Sequence, residues 1–170
     1  MPDELNKKTM TNKNRQSHTL DFPERGSVFE VEEGLLLMPL FDEHGLIPCV
    51  TQDATSNEVL MLGWMNREAL QLTIETGVAH YFSRSLDGLW RKGERSGQVQ
   101  LVRRILIDDD QDCLLITVDL TGGASCHVGY RSCFFRELNW HENRTDFSLR
   151  MLESEKVYDP AQVYGSEEHS

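Results

Sequence analysis

The sequence predicts an α+β fold: a mainly antiparallel β sheet forming a barrel-like body, with a few short helices. Short apolar runs outnumber helix-like stretches, turn-rich spacers separate them, and one well-capped helix interrupts them. No period of 20–50 residues recurs, which excludes a solenoid.

Taken in order, residues 1–25 are polar and aperiodic and read as a flexible arm. Leu46–Gln52 and Val59–Met65 are apolar runs around the spacer DATSNE, the pattern of a hairpin. Asn66 caps a helix with Glu68 in its first turn, Leu70 and Ile74 on one face, and Gly77 as its stop. Ala79–Arg84 reads as a strand, and Ser83–Gly97 as a polar loop rich in glycine. Val99–Ile107 and Cys113–Asp119 are strands around the acidic turn DDDQD, and Phe134–Leu138 is a further strand. The catalytic body is expected over 26–140. An acidic extension follows over 141–170, of which VYDPAQVYG docks on the body and the final SEEHS frays.

The chain has 170 residues, enough for one domain that buries roughly 68–70% of its unfolded surface. Its net charge of −11 argues against nucleic-acid or anionic-membrane partners, which need a basic face. No stretch approaches the roughly 18 apolar residues of a membrane span. The first 20 residues lack the apolar run of an export signal, so a cytoplasmic location is expected. Cys49, Cys113, Cys126 and Cys133 are then free thiols or metal ligands rather than disulfides.

Chemistry concentrates in three places. In the acidic turn, Asp108, Asp110 and Asp112 point one way if the strand continues through it. Three carboxylates on one face suit a hard cation such as Mg²⁺; the plainer reading is a solvated turn. In CHVGYRSC, Cys126 and Cys133 can meet across a turn at Gly129 and, with His127 nearby, suit Zn²⁺. The plainer reading is two small buried side chains. Two thiolates are too few for a catalytic zinc, so a third ligand must come from elsewhere in the chain or from a second chain. The loop 83–97 holds Arg84, Arg91, Lys92 and Arg95 among glycines and serines. Arg84, Trp90, Arg91, Lys92 and Ser96 are its candidate contacts to a phosphorylated substrate; a solvated charged loop is the alternative.

The segments LIPCVTQDATSNEVLMLGWMNREAL, YFSRSLDGLWRKGERSGQVQ and ASCHVGYRSCF, in this order, resemble the phosphoribosyl-AMP cyclohydrolases of histidine biosynthesis. The resemblance runs from Leu46 to Leu138, and VYDPAQVYG resembles the end of the single-activity members. It implies a homodimer with active sites at the subunit interface, holding Zn²⁺ and Mg²⁺. The implied reaction is hydrolysis of the purine-ring N1–C6 bond of phosphoribosyl-AMP, a small phosphorylated nucleotide. It implies Cys126 and Cys133 as zinc thiolates, Asp108, Asp110 and Asp112 as magnesium carboxylates, and His127 as the residue for proton transfer or substrate polarisation.

Two positions depart from the family pattern. Where the family carries D-C-D-x-D, with the Cys as third zinc ligand, this chain has D-D-D-Q-D, and Gln98 stands where His or Asn is usual. Either Asp109 takes the thiolate's place, giving a harder site that tolerates Fe²⁺, Mn²⁺ or Co²⁺, or Cys113, of the same strand parity, replaces it. The chain then resembles a paralogue with an altered zinc site. The alternatives are a related hydrolase of another nucleotide or N-heterocycle, and a non-catalytic metal-binding dimer.

Overall fold

A computed structural model describes residues 21–140 and 147–165. Most of the expected flexible arm and the expected fraying end lie outside them. Helix α1 (Val28–Glu32) starts with a capping box in which Ser27 and Glu30 satisfy each other's backbone N–H groups. Strands β1 (Leu46–Asp53) and β2 (Val59–Asn66) form the expected antiparallel hairpin. Helix α2 (Arg67–Thr76) follows at once. The Asn66 side chain accepts from Ala69 N at 2.8 Å, and Gly77 closes the helix at φ +67°. Leu70 is buried, whereas Ile74, one turn on, stays 42% exposed.

Strands β3 (His80–Ser83) and β4 (Gly88–Arg91) form a second small hairpin. The stretch expected as a loop therefore contains a strand. Four residues, GLWR, are too short to show a period among glycines and charges. Strands β5 (Gln100–Ile107) and β6 (Leu114–Leu120) pair antiparallel, as expected. Strands β7 (Arg136–Leu138) and β8 (Leu149–Met151) make a third sheet, and α3 (Pro160–Tyr164) ends the described chain.

The main sheet runs β2-β1-β6-β5. Its central pair, β1 with β6, is parallel, because α2, β3 and β4 carry the chain across before β5 turns back into β6. The expected barrel does not close. Among the described residues β2 and β5 remain the edges, and only the bridge Val78–Leu101 links the approach to β3 with β5.

Alternation along β1 and β6 fills the core with Ile47, Cys49, Leu114, Ile116 and Val118, packed on Leu60, Met65, Leu70 and Tyr81. One polar line crosses it. Thr51 Oγ1 lies 2.7 Å from Tyr81 Oη, which donates to Gln100 Oε1 at 2.7 Å; Gln100 Nε2 donates to Ser125 Oγ at 3.0 Å. Satisfied in this way, these buried groups fix the start of β5 against the 124–133 turn. No helix among the described residues is long and apolar enough to cross a membrane.

Candidate active site

The thiol turn is fastened from both sides. Within it, Cys126 N donates to Tyr130 O and Gly129 N to Cys126 O, both at 3.1 Å. Gly129 sits at φ +101°, and a Cβ there would lie 2.3 Å from Tyr158 O, so the position demands glycine. On one side Cys133 N donates to Leu60 O at 2.7 Å and Ser132 Oγ to Val59 O at 2.8 Å. Arg131 reaches Asp53 and Glu58, each at 2.8 Å. On the other side lies the C-terminal segment. Glu153 accepts from Arg131 N and Ser132 N, Val157 N donates to Gly129 O, and Tyr158 Oη reaches the carbonyls of Cys126 and His127.

This folding brings the Cys126 and Cys133 thiols close enough to influence each other's ionisation. The hydrogen bond from Cys133 lowers the Cys126 thiol to about 6, helped by backbone N–H groups and His127. The same bond and burial push Cys133 up, so the pair holds one proton between two sulfurs. Cys126 is 4% exposed and Cys133 opens to solvent, which leaves room for further ligands. His127 is exposed beside them.

Lys92 is the surprise of the basic loop. It is 5% exposed, its ammonium donates to Ser125 O, and it lies 5.0 Å over the Trp90 ring. Burial lowers its pKa, while the two thiols oppose that shift. Its positive charge therefore faces the thiol pair, not solvent. Arg84, Trp90 and Arg91 are exposed, and Ser96 Oγ accepts from Gln98 N at 3.2 Å. Gln98 in turn accepts from Ala124 N at 3.1 Å, bracing the approach to the thiol turn.

Next to this cluster opens a pocket of 540 Å³. Its walls are the β2 segment Met61–Trp64, Tyr81, Phe82 and Trp90, with Ser83, Arg84 and Ser85 at one end. Trp90 and Tyr81, with ring centroids 5.7 Å apart, are shared between the pocket and the Lys92–thiol cluster. Trp64, Tyr81 and Gln100 are the residues that sequence reasoning missed. No local signal marks Gln100, because β5 also carries Arg103 and Arg104.

The carboxylates converge, but not because a strand continues. β5 ends at Ile107, and the chain turns at Gln111, which has φ +59°. Asp108 Oδ1 accepts from Asp112 N and Cys113 N, closing the turn. Asp108, Asp110 and Asp112 then offer oxygens all within 4.8 Å of one another, exposed. Residual desolvation and the neighbouring carboxylates raise the Asp112 pKa. Buried Gln111 anchors the turn to the N-terminal segment through Met38 N at 2.7 Å, Val31 O at 2.9 Å and Leu36 O at 3.2 Å. Arg25 adds a bond to Asp110 O at 2.8 Å.

Three oxygen donors at this spacing fit a hard divalent cation, and two sulfurs fit a softer one. The two sets lie at opposite ends of the β5–β6 hairpin: Ser125, next to Cys126 in the chain, meets Gln100 at the start of β5, and Asp108 follows its end. At ~3.3 Å per residue, eight residues of strand separate them by roughly 25 Å. Asp109 and Cys113 belong to the carboxylate end. Burial, with Cys113 a smaller contributor, pushes the thiol of Cys49 up to about 12. Neither one is near the thiol pair of the same chain. Among the described residues, the Asp trio is the one group of three potential ligands.

Two thiols, three carboxylates and a pocket walled by aromatic rings and a guanidinium are parts from which an enzyme site can be built. Comparison with known proteins gives the class. A family model described as phosphoribosyl-AMP cyclohydrolase matches residues 61–135. A phosphoribosyl-AMP cyclohydrolase of Rhodopseudomonas palustris (strain BisA53) is 51% identical over 142 residues, 84% of this chain and 96% of that protein. Those of Caulobacter sp. (strain K31) and Nitrobacter winogradskyi are 53% and 50% identical, over 68% and 79% of this chain and 87% and 92% of theirs. The chain belongs to the phosphoribosyl-AMP cyclohydrolase family.

Proposed function

We propose that the chain hydrolyses the N1–C6 bond of the purine ring of phosphoribosyl-AMP, a step of histidine biosynthesis. The observation that carries this reading is the adjacency of the thiol pair to the Trp90–Arg84 pocket, in a chain about half identical to its named relatives. Water oxygen bonds to C6, the N1–C6 bond breaks with its electron pair left on N1, and N1 takes up a proton. The product carries a carboxamide and a formimino group.

Cys126 and Cys133 would hold a divalent transition metal, which supplies Lewis acidity to the water at neutral pH. His127, exposed at the edge of the thiols, is placed to move the proton. Lys92 keeps a positive charge against the sulfurs, over the Trp90 ring that walls the pocket. Arg84 and Arg91 stand on the exposed side for the substrate phosphates. Asp108, Asp110 and Asp112 would hold Mg²⁺.

The separation of roughly 25 Å between sulfurs and carboxylates supports a homodimer in which one subunit's carboxylate turn faces its partner's thiols. Asp109 then stands as a third ligand of carboxylate type, with Cys113 as its rival. Free thiols and the reaction both suit the cytoplasm. Turnover of phosphoribosyl-AMP by the purified protein, loaded in turn with Zn²⁺, Mn²⁺, Fe²⁺ or Co²⁺ and with Mg²⁺ present, tests the reading. No ring opening with any metal would refute it.

A further inference from the structure

Trp64 lies at the end of β2, half-buried in the pocket wall, and the Arg84 guanidinium stacks on it with Cζ 4.8 Å from the ring centroid. Among the described residues no carboxylate pairs with Arg84, whereas Arg103 and Arg150 each have one and Arg131 has two. The Arg84 fork is exposed and its N–H donors are uncommitted. Beside it the Ser83 and Ser85 hydroxyls stand 3.3 Å apart at the head of the β3–β4 turn. Across the pocket Trp90 presents a second ring. A free guanidinium and two hydroxyls at one rim, with aromatic walls behind, match a phosphate monoester attached to a flat heterocycle.

An exposed arginine samples many rotamers, and a ligand that recruits it must order them. A ring face that already carries the planar guanidinium removes much of that cost in advance. We propose that Trp64 is a positioning residue: its indole holds Arg84 at the pocket rim, where Arg84, Ser83 and Ser85 receive a phosphate monoester of the nucleotide. The proposal rests on reading the pocket as the substrate site. Trp64 acts only through Arg84 and touches no reacting atom.

The test measures binding of AMP and of adenosine by calorimetry, with folding checked by circular dichroism. Trp64→Met fills much of the indole's volume without a ring; Trp64→Phe keeps an aromatic face. Trp64→Met is expected to weaken AMP about fivefold and leave adenosine within about twofold, as loss of one cation–π contact predicts. Trp64→Phe is expected to bind AMP within about twofold of the native chain. Arg84→Ala is expected to cost about tenfold in the native background and about twofold beside Trp64→Met, because the two residues act as one unit. In turnover the Trp64→Met loss falls on KM rather than kcat.

Native affinity for AMP in Trp64→Met would overturn the proposal. So would an equal loss for adenosine, an undiminished cost of Arg84→Ala beside Trp64→Met, or no AMP binding by the native chain. If Trp64→Met does not fold, Trp64→Phe decides: an AMP loss as large as that of Arg84→Ala refutes the ring-face role. Binding and turnover fail separately. AMP held through Arg84 without ring opening removes the proposed reaction and leaves the pair, whereas normal turnover with an unchanged KM in Trp64→Met removes the pair and leaves the reaction.

Discussion

Replacing Arg131 by alanine removes the ionic fastening of the thiol turn. The guanidinium makes two charged bonds at 2.8 Å, to Asp53 and to Glu58. Bonds of this type contribute roughly 1.5–3 kcal/mol each when shielded. Arg131 and Glu58 are open to solvent over more than a third of their side chains, at 36% and 39%, so screening takes most of the second bond. The Asp53 side chain is only 10% exposed, and it keeps its bonds from Thr55 and Ser56. The net cost is about 2 kcal/mol, which for a chain of this size lowers Tm by roughly 4–8 °C.

The effect carries a pH signature. Asp53 has a lowered folded pKa, chiefly from the Ser56 N–H, with Arg131 a smaller contributor. A depressed carboxylate stabilises above its unfolded pKa, near 3.8, and that stability is lost as pH falls through the folded value. The Tm gap between native and Arg131→Ala proteins is therefore full at pH 7 and narrows below about pH 4, as Asp53 protonates. Differential scanning calorimetry across pH 2–7 reads it. Equal Tm at pH 7, or a gap that does not narrow on acidification, would refute the assignment.

Gln111→Gly keeps a residue that accepts φ +59° but deletes three buried side-chain bonds; it is expected to cost about 2–3 kcal/mol and to expose residues 25–40 to limited proteolysis. In chelator-treated protein, Cys126 is expected to alkylate with an apparent pKa near 6, its rate levelling above neutrality, while Cys49, at about 12, stays inert; peptide mapping after a short pulse of iodoacetamide distinguishes them. If Asp109 is the third ligand, Asp109→Ala loses tight metal and Cys113→Ser is nearly silent, and Asp109→Cys shifts preference toward Zn²⁺; competition titrations on the three variants reveal the order, and silence in both deletions excludes both residues.

The parts legible in the sequence are those fixed by neighbours in the chain. The Asn66 cap and Gly77 stop delimit α2 to the residue, and alternation marks β1 and β6 because each turns buried residues into the core. The meeting of Cys126 and Cys133 followed from a glycine between them. The grouping of the carboxylate trio comes from the turn that the buried Gln111 side chain anchors and not from strand parity. Lys92 was illegible: a lysine in a charged loop reads as solvated, and only the Ser125 carbonyl, 33 residues away, and the two thiols explain its burial. Arg131 likewise finds its acids 78 and 73 residues back along the chain. Barrel closure failed as an expectation because strand order depends on the α2–β4 crossover, which no local pattern encodes.

The fastening of the thiol turn also sets an order of events during synthesis. Its first set of holds, Asp53, Glu58, Val59 and Leu60, leaves the ribosome early as part of a local hairpin. Its second set, Glu153, Val157 and Tyr158, emerges only after the two cysteines themselves. Closing such long loops is slow compared with forming hairpins. The nascent chain therefore carries an assembled core while its thiols are held on one side alone. The turn is held from both sides only after residue 158 is free, and a pause in translation before that point leaves Cys126 and Cys133 open to oxidants.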